Sequence, residues 1–299
     1  MFDLLVMYII MAGVFTFGKQ AVLNSSPFFL TAVRLLPQAL LFLAGVYIFN
    51  RKKWYVASRL VPALAGLALF FFLMDSFRFV ALQYVPSSHG ALINSLSPFI
   101  AALFANLVFK EKFSLKKLIA LCIGFFGVLP IIVQNVLSSQ VTETSSLYLA
   151  GGYAALLVST ISAVIGSFFL KQLVDKEHFS ILMALGISQG IGGFVSLIIS
   201  LFIEPWNPVP VTHLETVAPL ILFLFVSHNL IAQPLYGYLV KKYPVTLVAF
   251  ATLISPLVSC VLGYCLYSQP IDYVFIFSLI TLMSSFYLFY YEEKKEGLV

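Results

Sequence analysis

Ten runs of apolar residues, each about as long as a bilayer span, follow one another along 299 residues with only short polar breaks between them. A helix needs roughly 20 apolar residues to cross about 30 Å of hydrocarbon. The runs cover residues 4–23, 28–49, 60–83, 87–109, 115–134, 147–171, 180–203, 216–239, 244–267 and 271–291. Their breaks carry turn and charge signals, among them Asn24-Ser25-Ser26-Pro27, Arg51-Lys52-Lys53, Lys110-Glu111-Lys112 and Gln269-Pro270. The runs are apolar on every face rather than in alternation, so helices are expected and barrel strands are not. Composition agrees. The chain is 61% hydrophobic and 10% charged, against about 25% charged in soluble domains, and a soluble globule of this size cannot hide that much apolar surface. Disorder is excluded by the same hydrophobicity. A disulfide scaffold is excluded because Cys122, Cys260 and Cys265 all lie in apolar runs. The first run lacks a basic leader and a small-residue cleavage site, so it reads as a span rather than a signal peptide.

Basic residues mark the side that stays in the cytoplasm. With the N-terminus inside, Arg51, Lys52, Lys53, Arg59, Lys110, Lys112, Lys116, Lys117, Lys171, Lys176, Lys241, Lys242, Lys294 and Lys295 fall on the inner side, 14 of the 17 Lys and Arg. The outer loops hold none and carry Glu143, Glu204, Glu215 and Asp272 instead. A missed or invented span would scramble the sides beyond the error. The alternation therefore supports ten spans in an inner membrane with both termini cytoplasmic. It also explains the net charge of +5 without a nucleic-acid partner. Lys19, Arg34 and Arg78 remain inside spans. Lys19 is expected to snorkel to the outer headgroups and Lys171 to the inner ones.

The chain reads as written twice. Pro86 and Pro244 stand 158 apart, as do Pro98 and Pro256. Phe17-Gly18-Lys19-Gln20-Ala21-Val22 matches Phe169-Leu170-Lys171-Gln172-Leu173-Val174 at 152, and Gln38 matches Gln189 at 151. The expected units are residues 1–137 and 138–299, five spans each. Five is odd, so the second copy runs through the membrane upside down. Inverted repeats give a protein two similar gates on opposite sides and point to a secondary transporter.

The residues resemble the drug/metabolite transporter superfamily, EamA type. Phe17, Lys19, Pro27 and Arg34 are similar to that family's first two helices. Ser97-Pro98, Glu111, Gly124 and Gly127 are similar to its fourth and fifth. The second copy keeps Pro256 but has Gln269 at the glutamate position and Ser284 and Ser285 near the glycines. The resemblance implies ten helices in two five-helix repeats. It also implies transport of a small metabolite from a set that includes amino acids, sugar derivatives, nucleobase compounds, polyamine-like cations and S-adenosylmethionine.

Few residues within the spans can recognise such a substrate. Asp75 is the only acid deep in a span, where a charge costs about 2.5–3.5 kcal/mol on insertion scales and must face a cavity or a partner. Arg78 follows at i+3. Either the two form a structural ion pair, or Asp75 meets a substrate cation or a coupling proton. At the 158 offset Asp75 matches Gln233, and Asn94 matches Thr252, which favours a role near the pseudo-symmetry axis. In span eight Asn229, Gln233 and Tyr236 fall at i, i+4, i+7 and make one polar stripe. It reads either as interhelical bonding or as the wall of a pathway. His228 is a proton-coupling candidate or a satisfied donor. Arg34 either bonds carbonyls of broken helices or attracts a carboxylate. Pro98 and Pro256 are expected to kink spans four and nine and to act as gates. Phe71, Phe79 and Tyr236 can stack on a ring or cation.

No catalytic arrangement is visible. His89, His178, His213 and His228 share no ligand spacing, and no phosphate loop precedes a helix. The expectation is an all-α membrane protein that is not an enzyme, with no metal and no cofactor. Its partners are a small-molecule substrate and the lipid bilayer, and the chain is taken as a monomer. It would carry a small polar metabolite by alternating access, with Arg34, Phe71, Asp75, Phe79, Asn94, Asn229, Gln233 and Tyr236 around the substrate. One acid among several bases suits a zwitterion. An amino acid fits, and so does S-adenosylmethionine with its carboxylate, sulfonium and ring. The alternatives are a nucleotide or sugar derivative, a drug-like cation, or a receptor or assembly protein that carries nothing. A lipid-modifying enzyme would need two or more acids or histidines at one interface, which the sequence lacks.

Overall fold

The computed structural model describes residues 2–109, 115–138, 143–243, 245–250, 252, 254–268 and 271–295. Lys110, Glu111, Lys112, Pro244, Gln269 and Pro270 lie outside the described residues. The described residues are mostly helical, joined by short turns and loops. The helices are α1 Phe2–Leu23, α2 Pro27–Phe49, α3 Val61–Leu82, α4 Ser87–Asn94, α5 Ser97–Phe109, α6 Leu115–Ser138, α7 Glu143–Lys171, α8 Ile181–Ile203, α9 Leu214–Leu224, α10 Gln233–Lys242, α11 Val245–Phe250, α12 Ile254–Tyr267 and α13 Tyr273–Lys295. Two wide-coil segments, Gln172–Lys176 and Phe225–Ala232, join α7 to the following turn and α9 to α10. Among the described residues, seven segments are long and apolar enough to span a bilayer: Val6–Leu23, Pro27–Phe49, Ser58–Leu82, Ser87–Ala105, Leu147–Asp175, Ile181–Ile203 and Leu214–Lys242. Shorter apolar stretches, Leu118–Gly127, Ile254–Tyr267 and Tyr273–Phe289, stand where the other three spans are expected.

Lipid reverses the usual burial rule, because hydrocarbon is as good a solvent for leucine as another leucine is. In α2 the inward stripe carries Thr31, Arg34 and Gln38, while Leu40 and Ile48 face out with about 70% of their surface exposed. In α8 the inward stripe is small: Ser188, Gly192, Ser196 and Ser200 recur every fourth residue. The glycines Gly186, Gly190 and Gly193 let α2 come close, and a Cβ on Gly193 would stand 3.1 Å from the backbone nitrogen of Leu36, a contact tight enough that α2 would have to give way.

The packing repeats between halves. Helix α2 lies on α8, and α6 on α13; each pair joins equivalent spans of the two copies. Helix α3 packs on α7, and its counterpart, the α9–α10 rod, packs on α1. Helix α1 packs on α12, and its counterpart α7 on α5. At the α6–α13 seam the glycines Gly124 and Gly127 meet Ser285 and Thr281, and Ser285 Oγ donates to the Ala120 carbonyl. The second copy's serines thus sit against the first copy's glycines.

Two spans are broken. Helix α4 ends at Asn94 and α5 begins at Ser97; α11 ends at Phe250 and α12 begins at Ile254. The interruption lies just upstream of both prolines. Pro98 is the second residue of α5 and Pro256 the third of α12, positions whose N–H groups need no intrahelical acceptor. In both spans one helix ends before the proline and the proline falls in the first turn of the next. The breaks cross, with α4 on α12 and α5 on α11. Ser95 Oγ donates to the Thr252 carbonyl at 3.3 Å, and the Ser97 and Thr252 hydroxyls are 3.1 Å apart.

The two in-span lysines have matching roles. Lys19 Nζ donates to the carbonyl of Gln83, at the end of α3, at 3.2 Å. Lys171 Nζ donates to Val240 and Tyr243, at the end of α10, at 2.9 and 3.0 Å. Each caps the orphan carbonyls of the third span of its own repeat, where a cation also suits the helix dipole. Both therefore act as helix caps.

Candidate functional site

A cavity of about 80 Å³ lies where the broken spans cross. It has room for a handful of waters. Its walls come from both halves: Arg78, Asn94 and Ser97 from the first, His228, Gln233, Thr252 and Ser255 from the second. Tyr8, Phe15, Phe71 and Tyr236 supply aromatic surface. Tyr8 is early in α1, Ser167 late in α7, Tyr236 in α10 and Val245 at the start of α11. These ends share one side of the bundle, so the cavity lies on the side that carries the N-terminus. On the opposite side Phe15, Phe79, Leu82, Ala91 and Leu224 close into an apolar plug. There the chain between α1 and α2 is clipped to the segment before α9: Thr212 N donates to the Asn24 carbonyl at 2.9 Å and Ser26 N to Pro210 at 3.0 Å. Glu204 accepts from the N–H groups of Phe28 and Phe29, capping α2.

Behind the cavity runs a buried polar network built across α2, α8 and the α9–α10 rod. Arg34 Nε donates to Asn229 Oδ1 at 3.3 Å. Asn229 Nδ2 donates to Gln38 Oε1 at 2.7 Å. The amides of Gln38 and Gln189 both donate to Gln233 Oε1, at 2.8 and 2.9 Å. Gln233 Nε2 lies 3.5 Å from His228 Nε2. That pair is i, i+5, a spacing brought together by the wide coil over Phe225–Ala232 and not by an ordinary α-helix. Asp75 and Arg78 pair at 3.3 Å through Oδ1 and Nη1, on one face of α3. Arg34 lies over the Phe79 ring at 4.7 Å and Arg78 over Phe15 at 5.5 Å. All these polar side chains are buried; Arg34, Gln38, Asp75, Gln189 and Asn229 are 0% exposed.

Of the substrate-binding residues expected from sequence, Phe71, Asn94, Gln233 and Tyr236 line the cavity, with His228 beside them. Arg34 and Asn229 stand in the network behind it, Asp75 behind Arg78, and Phe79 under Arg34. Tyr236 bonds the Ser167 hydroxyl instead of continuing the stripe to Asn229. Sequence reasoning did not place Gln38 and Gln189 at the site, although their matched positions in spans two and seven were the signal. Among the described residues no group of three His, Cys, Asp or Glu could hold a metal ion.

A polytopic bundle of two like halves, with broken spans crossing at a polar cavity, defines a membrane transporter. Comparison with known proteins makes this specific. The model of the EamA-like transporter family matches residues 2–133 and again 150–291, and the chain belongs to that family. The S-adenosylmethionine/S-adenosylhomocysteine transporter of Chlamydia muridarum is 26% identical over 291 residues, covering 95% of this chain and 89% of the relative. That of Chlamydia trachomatis serovar L2 is 27% identical over 296 residues, covering 95% and 87%. The uncharacterized transporter YyaM of Bacillus subtilis is 26% identical over 112 residues, 36% of this chain and 35% of its own length. A solved crystal structure shares the fold at 15% identity, with a TM-score of 0.66 over 96% of this chain and 93% of that one.

Proposed function

We propose that this transporter carries S-adenosylmethionine and S-adenosylhomocysteine, by alternating access, across a cytoplasmic inner membrane with both termini inside. The observation that carries the reading is the cavity at the crossing of the broken spans. Polar groups from both halves there adjoin four aromatic side chains. Such a wall offers hydrogen bonds and charge to an amino-acid end, and ring faces to an adenine or a sulfonium. Two relatives of nearly full length bear this substrate pair in their names. Two arginines against one buried aspartate leave the site net positive, which argues against a plain drug-like cation and for a substrate with a carboxylate.

The transport units in this reading are residues 1–137 and 138–299. Arg34, Phe71, Phe79, Asn94, Asn229, Gln233 and Tyr236 hold or support the substrate, Asp75 pairs with Arg78 while the site is empty, and Asp75 and His228 are the candidates for proton coupling. The chain does no covalent chemistry on its cargo and works as a monomer. Radiolabelled S-adenosylmethionine entering proteoliposomes of the purified chain tests it. Saturable uptake that exceeds protein-free vesicles is expected, and none would refute the substrate.

A further inference from the structure

We infer that Arg34 and Arg78, with His228 beside them, form a subsite for one anionic group, and that its occupant is the carboxylate of the transported amino-acid end. The inference rests on the function proposed above and says which end of the substrate goes where.

Two guanidiniums and one carboxylate are buried together, so one positive charge is uncompensated. Asp75 lies 3.3 Å from Arg78, and Arg34 lies over the ring of Phe79, the residue after Arg78. A buried charge without a counter-charge is costly, and a native site retains one where something binds to it.

Arg34 is anchored from behind: its Nε donates to Asn229 and its face lies on Phe79. Its two terminal nitrogens, Nη1 and Nη2, are buried with no partner among the described residues, and so is Arg78 Nε. Those terminal nitrogens are the fork that grips a carboxylate. His228 Nδ1 is also unpartnered. Asp75 does not saturate the pair. It reaches only Arg78, through Oδ1 at 3.3 Å, and its Oδ2 has no partner. Asp75 is thus a loose internal counter-ion, available to be displaced by a better-placed carboxylate.

Arg78 and His228 line the cavity, and Arg34 is joined to its wall through Asn229, Gln38 and Gln233. An anion entering the cavity meets Arg78 directly, with Arg34 in the polar network that backs the wall. The aromatic walls, Phe71 and Tyr236 among them, are left for the ring and sulfonium. An inorganic anion such as chloride shares this chemistry, and the test separates the two sources.

The test is equilibrium binding of radiolabelled S-adenosylmethionine to the full chain in nanodiscs, in chloride-free gluconate buffer. Unlabelled S-adenosylhomocysteine, which keeps the carboxylate, should compete about as well as S-adenosylmethionine. Decarboxylated S-adenosylmethionine should compete roughly 10- to 150-fold more weakly, the range that hydrogen bonds to a charged group are worth. Added chloride should weaken binding by competing for the arginines. Arg78→Gln should erase the preference for the carboxylated ligand, and Asp75→Asn should tighten binding by removing the internal competitor. Equal competition by the decarboxylated analogue overturns the subsite while leaving the proposed function intact. Chloride that promotes binding, together with such equal competition, makes chloride the occupant and overturns the carboxylate assignment. Looser binding in folded Asp75→Asn overturns it too. If no S-adenosyl compound binds, the proposed function falls. The subsite then rests on acetate and chloride alone: thermal stabilisation of the wild type but not of Arg34→Gln keeps it, and equal response removes it.

Discussion

Gln233 is the hinge of the polar network at the scale of single residues. Its one carbonyl oxygen accepts from two buried amides, those of Gln38 and Gln189, which come from equivalent positions in the two copies. Gln233→Leu would strand both donors, at about 1–3 kcal/mol for each buried group left unmade. The melting temperature of the purified protein should drop by several degrees, and an unchanged one would contradict the network. Part of this was readable in the sequence. Asn229 and Gln233 stand out because polar residues are costly in an apolar span. Gln38 and Gln189 were visible as a repeat match but not as partners, because nothing in one strand of text says which faces meet. The His228–Gln233 contact was hidden altogether: it depends on a wide coil, and a 3.6-residue period separates those two side chains.

Among the elements, the third span of each repeat ends on a lysine from the first. Lys171 meets two carbonyls of the α10 end and Lys19 meets one of the α3 end. Lys171 also lies 3.5 Å from Asp175. Lys171→Met should therefore lower the melting temperature more than Lys19→Met does, in the same thermal assay. Equal effects would contradict this unequal capping. The match between Lys19 and Lys171 was legible as a repeat, yet their function was not, since a span-end lysine satisfies headgroups and helix ends equally well on paper. The prolines tell a similar story. Pro98 and Pro256 did mark the broken spans, but each sits inside the helix that follows the break. The prolines within the runs of α2, α6 and α9 are Pro37, Pro130 and Pro219.

At the scale of the molecule, the cavity lies on the N-terminal side and the other side is plugged and clipped. Its volume of about 80 Å³ is below the 300–1,000 Å³ usual for ligand sites, so a substrate of nucleoside size must spread the walls as it enters. Alternating access also requires the contact between residues 24 and 212 to open. Asn24→Cys with Thr212→Cys puts thiols on two residues that a backbone hydrogen bond of 2.9 Å joins. Oxidation should form a cross-link that stops transport, and reductant should restore it; full transport by the cross-linked protein would contradict the gate. The global fold was the most legible layer, because apolar runs, charge alternation and repeats each act over the whole chain and reinforce one another. Local breaks and partners were less so, because they depend on packing between spans far apart in sequence. Carriage of an S-adenosyl amino acid is tested most directly by uptake of radiolabelled S-adenosylmethionine into proteoliposomes preloaded with unlabelled S-adenosylhomocysteine. Saturable uptake that internal S-adenosylhomocysteine accelerates is expected; uptake no greater than in protein-free vesicles would contradict the proposed function.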